Sequence, residues 1–154
     1  MRRKSGSGYF PPDLYELLKR QRIPGGYDWV RDHDAILYAL AQPLNGLLFD
    51  VEQNELWFAE WGKRPVTSRD REAVLREIVQ CAPRLIPLYG HRYLPERPHA
   101  RGNPVLSVMQ SDIIIYGGDL RDWMNAEFGH PGATEDTYSP HEIREIEFWS
   151  KFLW

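Results

Sequence analysis

The chain has one cysteine, Cys81, in 154 residues. That excludes an internal disulfide framework and any zinc site built on two or more thiolates, and it fits a reducing compartment. Long apolar runs are also missing. None approaches the roughly 18 residues that a membrane-crossing helix needs, and a run such as Ile113-Ile114-Ile115-Tyr116 has only the length of a strand. There is no surplus of positive charge either. The 19 basic and 22 acidic side chains leave a formal net charge of −3, so direct binding to nucleic acid is not expected. Of His33, His91, His99, His130 and His141, no two stand four apart, the spacing that puts two imidazoles on one helix face. Asp32 and Asp34 flank His33, but neighbouring positions on a helix point apart. No metal site is expected. Nor is a phosphate-bearing cofactor: Gly117-Gly118 lacks a Gly-rich fingerprint, and Asp119 and Asp122 just beyond it would repel an anion.

What remains is ample core-forming material. Leu, Ile, Val and Phe make up about a quarter of the chain, above the roughly one fifth below which disorder sets in. Twenty aromatic residues (six Trp, eight Tyr, six Phe) supply large rings for a core or for a contact surface. Arg2, Arg3 and Lys4 run into Ser5-Gly6-Ser7-Gly8, where a secretory signal would carry its apolar segment. Residues 1–8 therefore read as a flexible start, residues 9–154 as one domain, and the compartment as the cytoplasm. Charge is zoned: residues 1–22 carry net +4, 23–83 net −4, 84–101 net +3 and 102–154 net −6. Solvated helix faces and oppositely charged binding faces both produce such zoning.

Residues 13–21 read as a short helix ended by Pro24-Gly25-Gly26. Asp28 can cap a second helix to about residue 41, with Val30, Ile36, Leu37 and Leu40 inward and Pro43 stopping it. Residues 44–51 and 56–61 then read as a strand hairpin. Thr67 with Asp70 resembles a capping box opening a helix to Cys81, a thiol expected to be buried and unreactive near a helix C-terminus. Residues 85–89 form a strand, followed by a long Pro-rich basic loop. Residues 105–109 and 113–116 form a hairpin, and Asp119 caps a helix to about Phe128. Ser139-Pro140-His141-Glu142 should open a last helix with Ile143, Ile146, Trp149, Phe152 and Leu153 as its apolar stripe, ending on Trp154. Paired strands with short turns, covered by helices, give an α+β fold with a mostly antiparallel sheet.

Two stretches can carry function. The loop from His91-Arg92-Tyr93-Leu94-Pro95 to Arg101-Gly102-Asn103-Pro104 is long, basic and stiffened by proline. His91 as a general base with Arg92 as an anion clamp would make an RNase-like site, although only Glu96 and Asp112 lie near enough in sequence to act as a second group. The same loop could contact a partner or be purely structural. Trp57 and Trp61, four apart, would share one strand face, as core or as an interface anchor.

The stretches Gly46-Leu47-Leu48-Phe49-Asp50-Val51, Leu56-Trp57, Trp61-Gly62 and Leu85-Ile86-Pro87-Leu88-Tyr89-Gly90-His91-Arg92-Tyr93-Leu94-Pro95 resemble the SUKH superfamily. So do Gly102-Asn103-Pro104-Val105-Leu106-Ser107-Val108, Ser111-Asp112-Ile113-Ile114-Ile115-Tyr116-Gly117 and Asp119-Leu120. The superfamily includes fungal cell-wall-assembly regulators and bacterial immunity proteins of polymorphic toxin systems. The likeness covers residues 44–128, with Gly102-Asn103-Pro104 and the Asp112-Ile113-Ile114 strand its most specific part. It implies an α+β fold with a sheet wrapped by helices. It also implies a non-catalytic, protein-binding role, often the neutralisation of a toxin that is frequently a nuclease. The acidic zones at 28–60 and 119–154 would suit a basic toxin. Candidate contact residues are Trp57, Trp61, His91, Arg92, Tyr93, Arg97, Asp119 and Asp122. The alternatives are a small enzyme using His91 and Arg92 on an anionic substrate, and a regulatory scaffold.

Overall fold

Three of the α-helices start where their first residues satisfy or tolerate the unpaired amides of a helix N-terminus. In the computed structural model, which describes residues 10–129 and 143–153, Pro12 opens α1 (Pro12–Arg20), its missing N–H and fixed φ suiting the first helical position. Thr67 caps α3 (Ser68–Cys81), its hydroxyl accepting from the Asp70 amide at 3.2 Å. Asp119 likewise caps α4 (Leu120–Phe128), its carboxylate accepting from the Asp122 amide at 2.8 Å. Gly129 closes α4 in the left-handed conformation at φ +61°.

The largest departure from the sequence reading is α2 (His33–Gln53), a 21-residue helix that runs straight through Pro43. The expected stop at Pro43 and the expected strand over residues 44–51 are both replaced by helix. A helix-interior proline deprives the carbonyl four residues earlier of its donor. That carbonyl belongs to Ala39, and the buried Tyr93 hydroxyl donates to it at 2.7 Å. A side chain from a distant strand thus supplies the bond that Pro43 cannot. The buried positions of α2 are Ile36, Ala39, Pro43, Leu47, Asp50 and Val51, a helical stripe; Leu37 and the preceding Val30, both expected inward, are exposed, and so is Phe49. Asp28 caps only a turn, accepting from the Val30 and Arg31 amides. Residues 56–58 run into a 3-10 turn, Ala59–Trp61, instead of a second strand.

The sheet comprises β1 (Leu85–Tyr89), β2 (Arg92–Pro95), β3 (Val105–Met109) and β4 (Asp112–Gly117), antiparallel neighbours in chain order. The fold is α+β. The expected long loop after β1 is in part the strand β2, paired through Pro87 with Tyr93 and Ile86 with Leu94. Alternate residues face opposite sides. Leu85, Tyr93, Leu106, Val108 and Ile113 meet α2, α3 and the aromatic segment Phe148–Phe152. Ile86, Leu88, Leu94 and Val105 meet α1 and α4 through Leu14, Leu120, Trp123 and Met124. Near the end of the described chain, Trp149 and Phe152 are buried as expected, but in a 3-10 turn (Trp149–Phe152) instead of an α-helix, and Leu153 bridges Ile113 in parallel. The expected helix start at 139–142, the flexible start at 1–8 and Trp154 lie outside the described residues.

Cys81 is exposed, not buried. At 3.6 residues per turn it sits about 240° round α3 from the buried Leu75, whereas Ala82 lies only about 20° away and takes the inward place. No helix of the described residues is long and apolar enough to cross a membrane.

Candidate functional site

A cleft of about 400 Å³ opens where the outer face of α2 passes the two hairpin turns of the sheet. Tyr38, Gln42, Asn45 and Phe49 line one wall at helical spacing; Gly90 and His91 from the β1–β2 turn and Met109 and Gln110 from the β3–β4 turn line the other. Tyr27 also lines it, with Val108 and Tyr93 of the strands.

The walls are held at fixed separation. Gly46 of α2 packs so closely on the β3–β4 turn that a Cβ there would lie 2.8 Å from the Gln110 Cα. One turn further along the helix, the buried Asp50 carboxylate accepts from the Ser111 amide at 2.8 Å, the Ser111 hydroxyl at 2.5 Å and the Asn54 amide at 2.7 Å. Burial opposes ionisation of Asp50, but the bonds from Ser111 and Asn54 outweigh it and hold the carboxyl below its ordinary range.

His91 and Tyr93 reach the cleft, while Arg92 between them points away, to the opposite side of β2. There its guanidinium donates to the Ser107 hydroxyl at 2.9 Å, lies 3.3 Å from the Glu127 carboxylate and sits 3.6 Å over the Tyr116 ring. The Arg92 and Glu127 side chains are only 12% and 13% exposed. One Arg92 nitrogen also reaches His91 Nε2 at 2.7 Å. Partial burial and the Arg92 charge push the His91 imidazole below its usual value, with Glu127 pulling the other way. Burial, with the neighbouring Tyr27 and Tyr38 phenols, pushes the Tyr93 phenol well above its ordinary value, so it stays a hydrogen-bond donor.

The other expected contact residues lie elsewhere, in structural roles. Trp57 and Trp61 do meet, edge to face at 5.2 Å, but in an aromatic cluster with Phe58, Phe148 and Phe152 that packs on the core. Trp57 Nε1 donates to the Gly62 carbonyl at 2.8 Å. Arg97 donates to the Cys81 carbonyl at 2.7 Å. Asp119 caps α4, and burial together with the Asp119 charge raises the Asp122 carboxyl above its usual value. The basic loop is tied down locally: Arg101 pairs with Glu16, Gly102 donates to Asp13, and the fully buried Asn103 donates to the Pro95 and Pro98 carbonyls while accepting from Arg144.

Sequence reasoning missed Tyr27, Tyr38, Gln42, Asn45, Phe49, Met109 and Gln110. The signal was the spacing 38, 42, 45, 49, visible only once residues 44–51 are read as helix. Among the described residues, no three His, Cys, Asp or Glu side chains are grouped to hold a metal. No protein-family model, curated protein or solved structure matches the chain.

Proposed function

We propose that the chain is a non-catalytic protein-binding domain whose contact surface is the mouth of this cleft, and that it acts as an immunity protein neutralising a toxin, as its likeness to the SUKH superfamily implies. One observation carries the reading. Tyr38, Phe49 and Met109, which flank a concave site, are 70%, 50% and 60% exposed. Aromatic residues and Met are enriched where proteins meet, and grouped apolar exposure of this kind marks interaction sites. Leu37 adds further exposed apolar surface on the same helix.

The arrangement of His91 and Arg92 favours this reading over an enzyme acting on an anion. Arg92, the would-be anion clamp, is engaged by Ser107, Glu127 and Tyr116. His91 Nε2, the would-be base, faces an Arg92 nitrogen that can only donate.

The test is co-expression with the proteins encoded beside this gene. A stable complex with one of them is expected, weakened at least about tenfold (1.4 kcal/mol) by Tyr38→Asp or Met109→Asp, both at exposed positions that leave the core intact. If no neighbouring product binds, the immunity role is wrong. A complex indifferent to both substitutions would place the contact surface elsewhere.

A further inference from the structure

The hydrogen bond between His91 and Arg92 determines what the cleft offers a ligand. Arginine has no acceptor and does not lose its proton in proteins. With an Arg92 nitrogen 2.7 Å from His91 Nε2, that ring nitrogen must be the acceptor, so the imidazole is neutral and its proton sits on Nδ1. Arg92 cannot readily turn away, because Ser107, Glu127 and the Tyr116 ring hold it from three sides. His91 therefore contributes one N–H donor and no charge.

The remaining lining is of the same kind. It consists of phenol and phenyl rings (Tyr27, Tyr38, Phe49), the Met109 thioether, and the amides of Gln42, Asn45 and Gln110, with no charged side chain. Among the described residues those three amide side chains make no hydrogen bond, so their donors and acceptors are available. A charged group brought into such a site would lose hydration and meet no opposite charge, whereas a ring would meet ring faces and a polarisable sulfur.

We infer that the cleft receives an uncharged, ring-bearing side chain of the partner protein, of the tyrosine or phenylalanine type, and that His91, set by Arg92 as an Nδ1–H donor, accepts its chain by bonding a carbonyl oxygen. This rests on the cleft mouth being the contact surface. A protein segment fits better than a free small molecule because Tyr38, Phe49 and Met109 around the cleft are 70%, 50% and 60% exposed, apolar surface that a small ligand seated in the cleft would leave largely uncovered.

The experiment uses the whole chain, labelled with nitrogen-15, and an uncharged probe, N-acetyl-L-tyrosinamide. The His91 ring spectrum at pH 7.5 should show the Nδ1–H tautomer. The probe should shift the side-chain amide signals of Gln42, Asn45 and Gln110 saturably, while N-acetyl-L-tyrosine, which differs by one carboxylate, should bind at least tenfold more weakly. His91→Ala, at an exposed turn position, should weaken the uncharged probe severalfold with the amide spectrum otherwise intact. An Nε2–H tautomer, equal binding of the two probes, or shifts confined to other surfaces would overturn the inference. Capture of a neighbouring gene product by a chain whose cleft ignores the amide probe overturns this inference alone. Probe binding without any captured partner overturns the immunity reading alone.

Discussion

Replacing Tyr93 by Phe removes one oxygen atom from the middle of the molecule and tests how α2 crosses Pro43. The Tyr93 ring is buried and its hydroxyl donates to the Ala39 carbonyl at 2.7 Å, the acceptor that Pro43 leaves without a helical partner. In Tyr93→Phe that carbonyl stays buried and unpaired, a loss of about 1–3 kcal/mol. For a chain of this size each kcal/mol lowers Tm by about 2–4 °C, so a drop of about 2–12 °C is expected. The decisive measurement is a double-mutant cycle with Pro43→Ala, read by urea denaturation. An alanine in place of Pro43 brings back the helical N–H that the Ala39 carbonyl lacks. Tyr93→Phe should therefore cost clearly less in that background, with a coupling of about 1 kcal/mol or more. Equal cost in both backgrounds, to within about 0.5 kcal/mol, would refute the reasoning. Tyr93 would then be valued for its ring alone.

Two further substitutions probe the walls of the cleft. Asp50→Asn replaces a buried carboxylate that accepts three hydrogen bonds and should cost about 1.5–3 kcal/mol at pH 7. Because the folded Asp50 carboxyl is held below its ordinary 3.8, its contribution is present above that pH and is lost as pH falls through the folded value. The gap between wild type and variant should therefore shrink in acid, and a gap constant from pH 7 to 3 would contradict this. Gly46→Ala gains up to about 1 kcal/mol of helix propensity. However, its Cβ would meet the Gln110 backbone at 2.8 Å, and such overpacking costs about 1–3 kcal/mol. A net lowering of Tm in thermal melts is expected; a raised Tm would show that the turn yields freely.

Wherever local chemistry decides, the sequence was readable. The Thr67 and Asp119 caps, the β3–β4 hairpin and the α+β class follow from residues that settle their own neighbourhood within a few positions. The failures share one cause, dependence on partners distant in sequence. Pro43 reads as a stop because nothing within ten residues reveals that Tyr93, fifty positions on, supplies the missing donor. Once α2 is cut short there, residues 44–51 take on a strand's appearance, and Phe49 moves from the surface into a supposed core. The cleft disappears with it, since its α2 wall exists only as a helical stripe. His91 and Tyr93 were legible because they lie in one short basic segment. The aromatic residues opposite them were not, because exposed Tyr, Phe and Met look like core material until the helix is turned to its true face.

The two cores also differ in when a growing chain can complete them. Among the described residues, the one beneath α1 and α4 draws its buried side chains from positions 14 to 124, whereas the other needs Ile146, Phe148, Trp149 and Phe152. Chains are made from the N-terminus at about 5–20 residues per second. One side of the sheet can thus be sealed while Tyr93, Leu106 and Ile113 on the other still await their aromatic cover. Through that interval the half-built protein presents an apolar face to any neighbour on the same ribosome-laden message, and the last aromatic residues end its exposure.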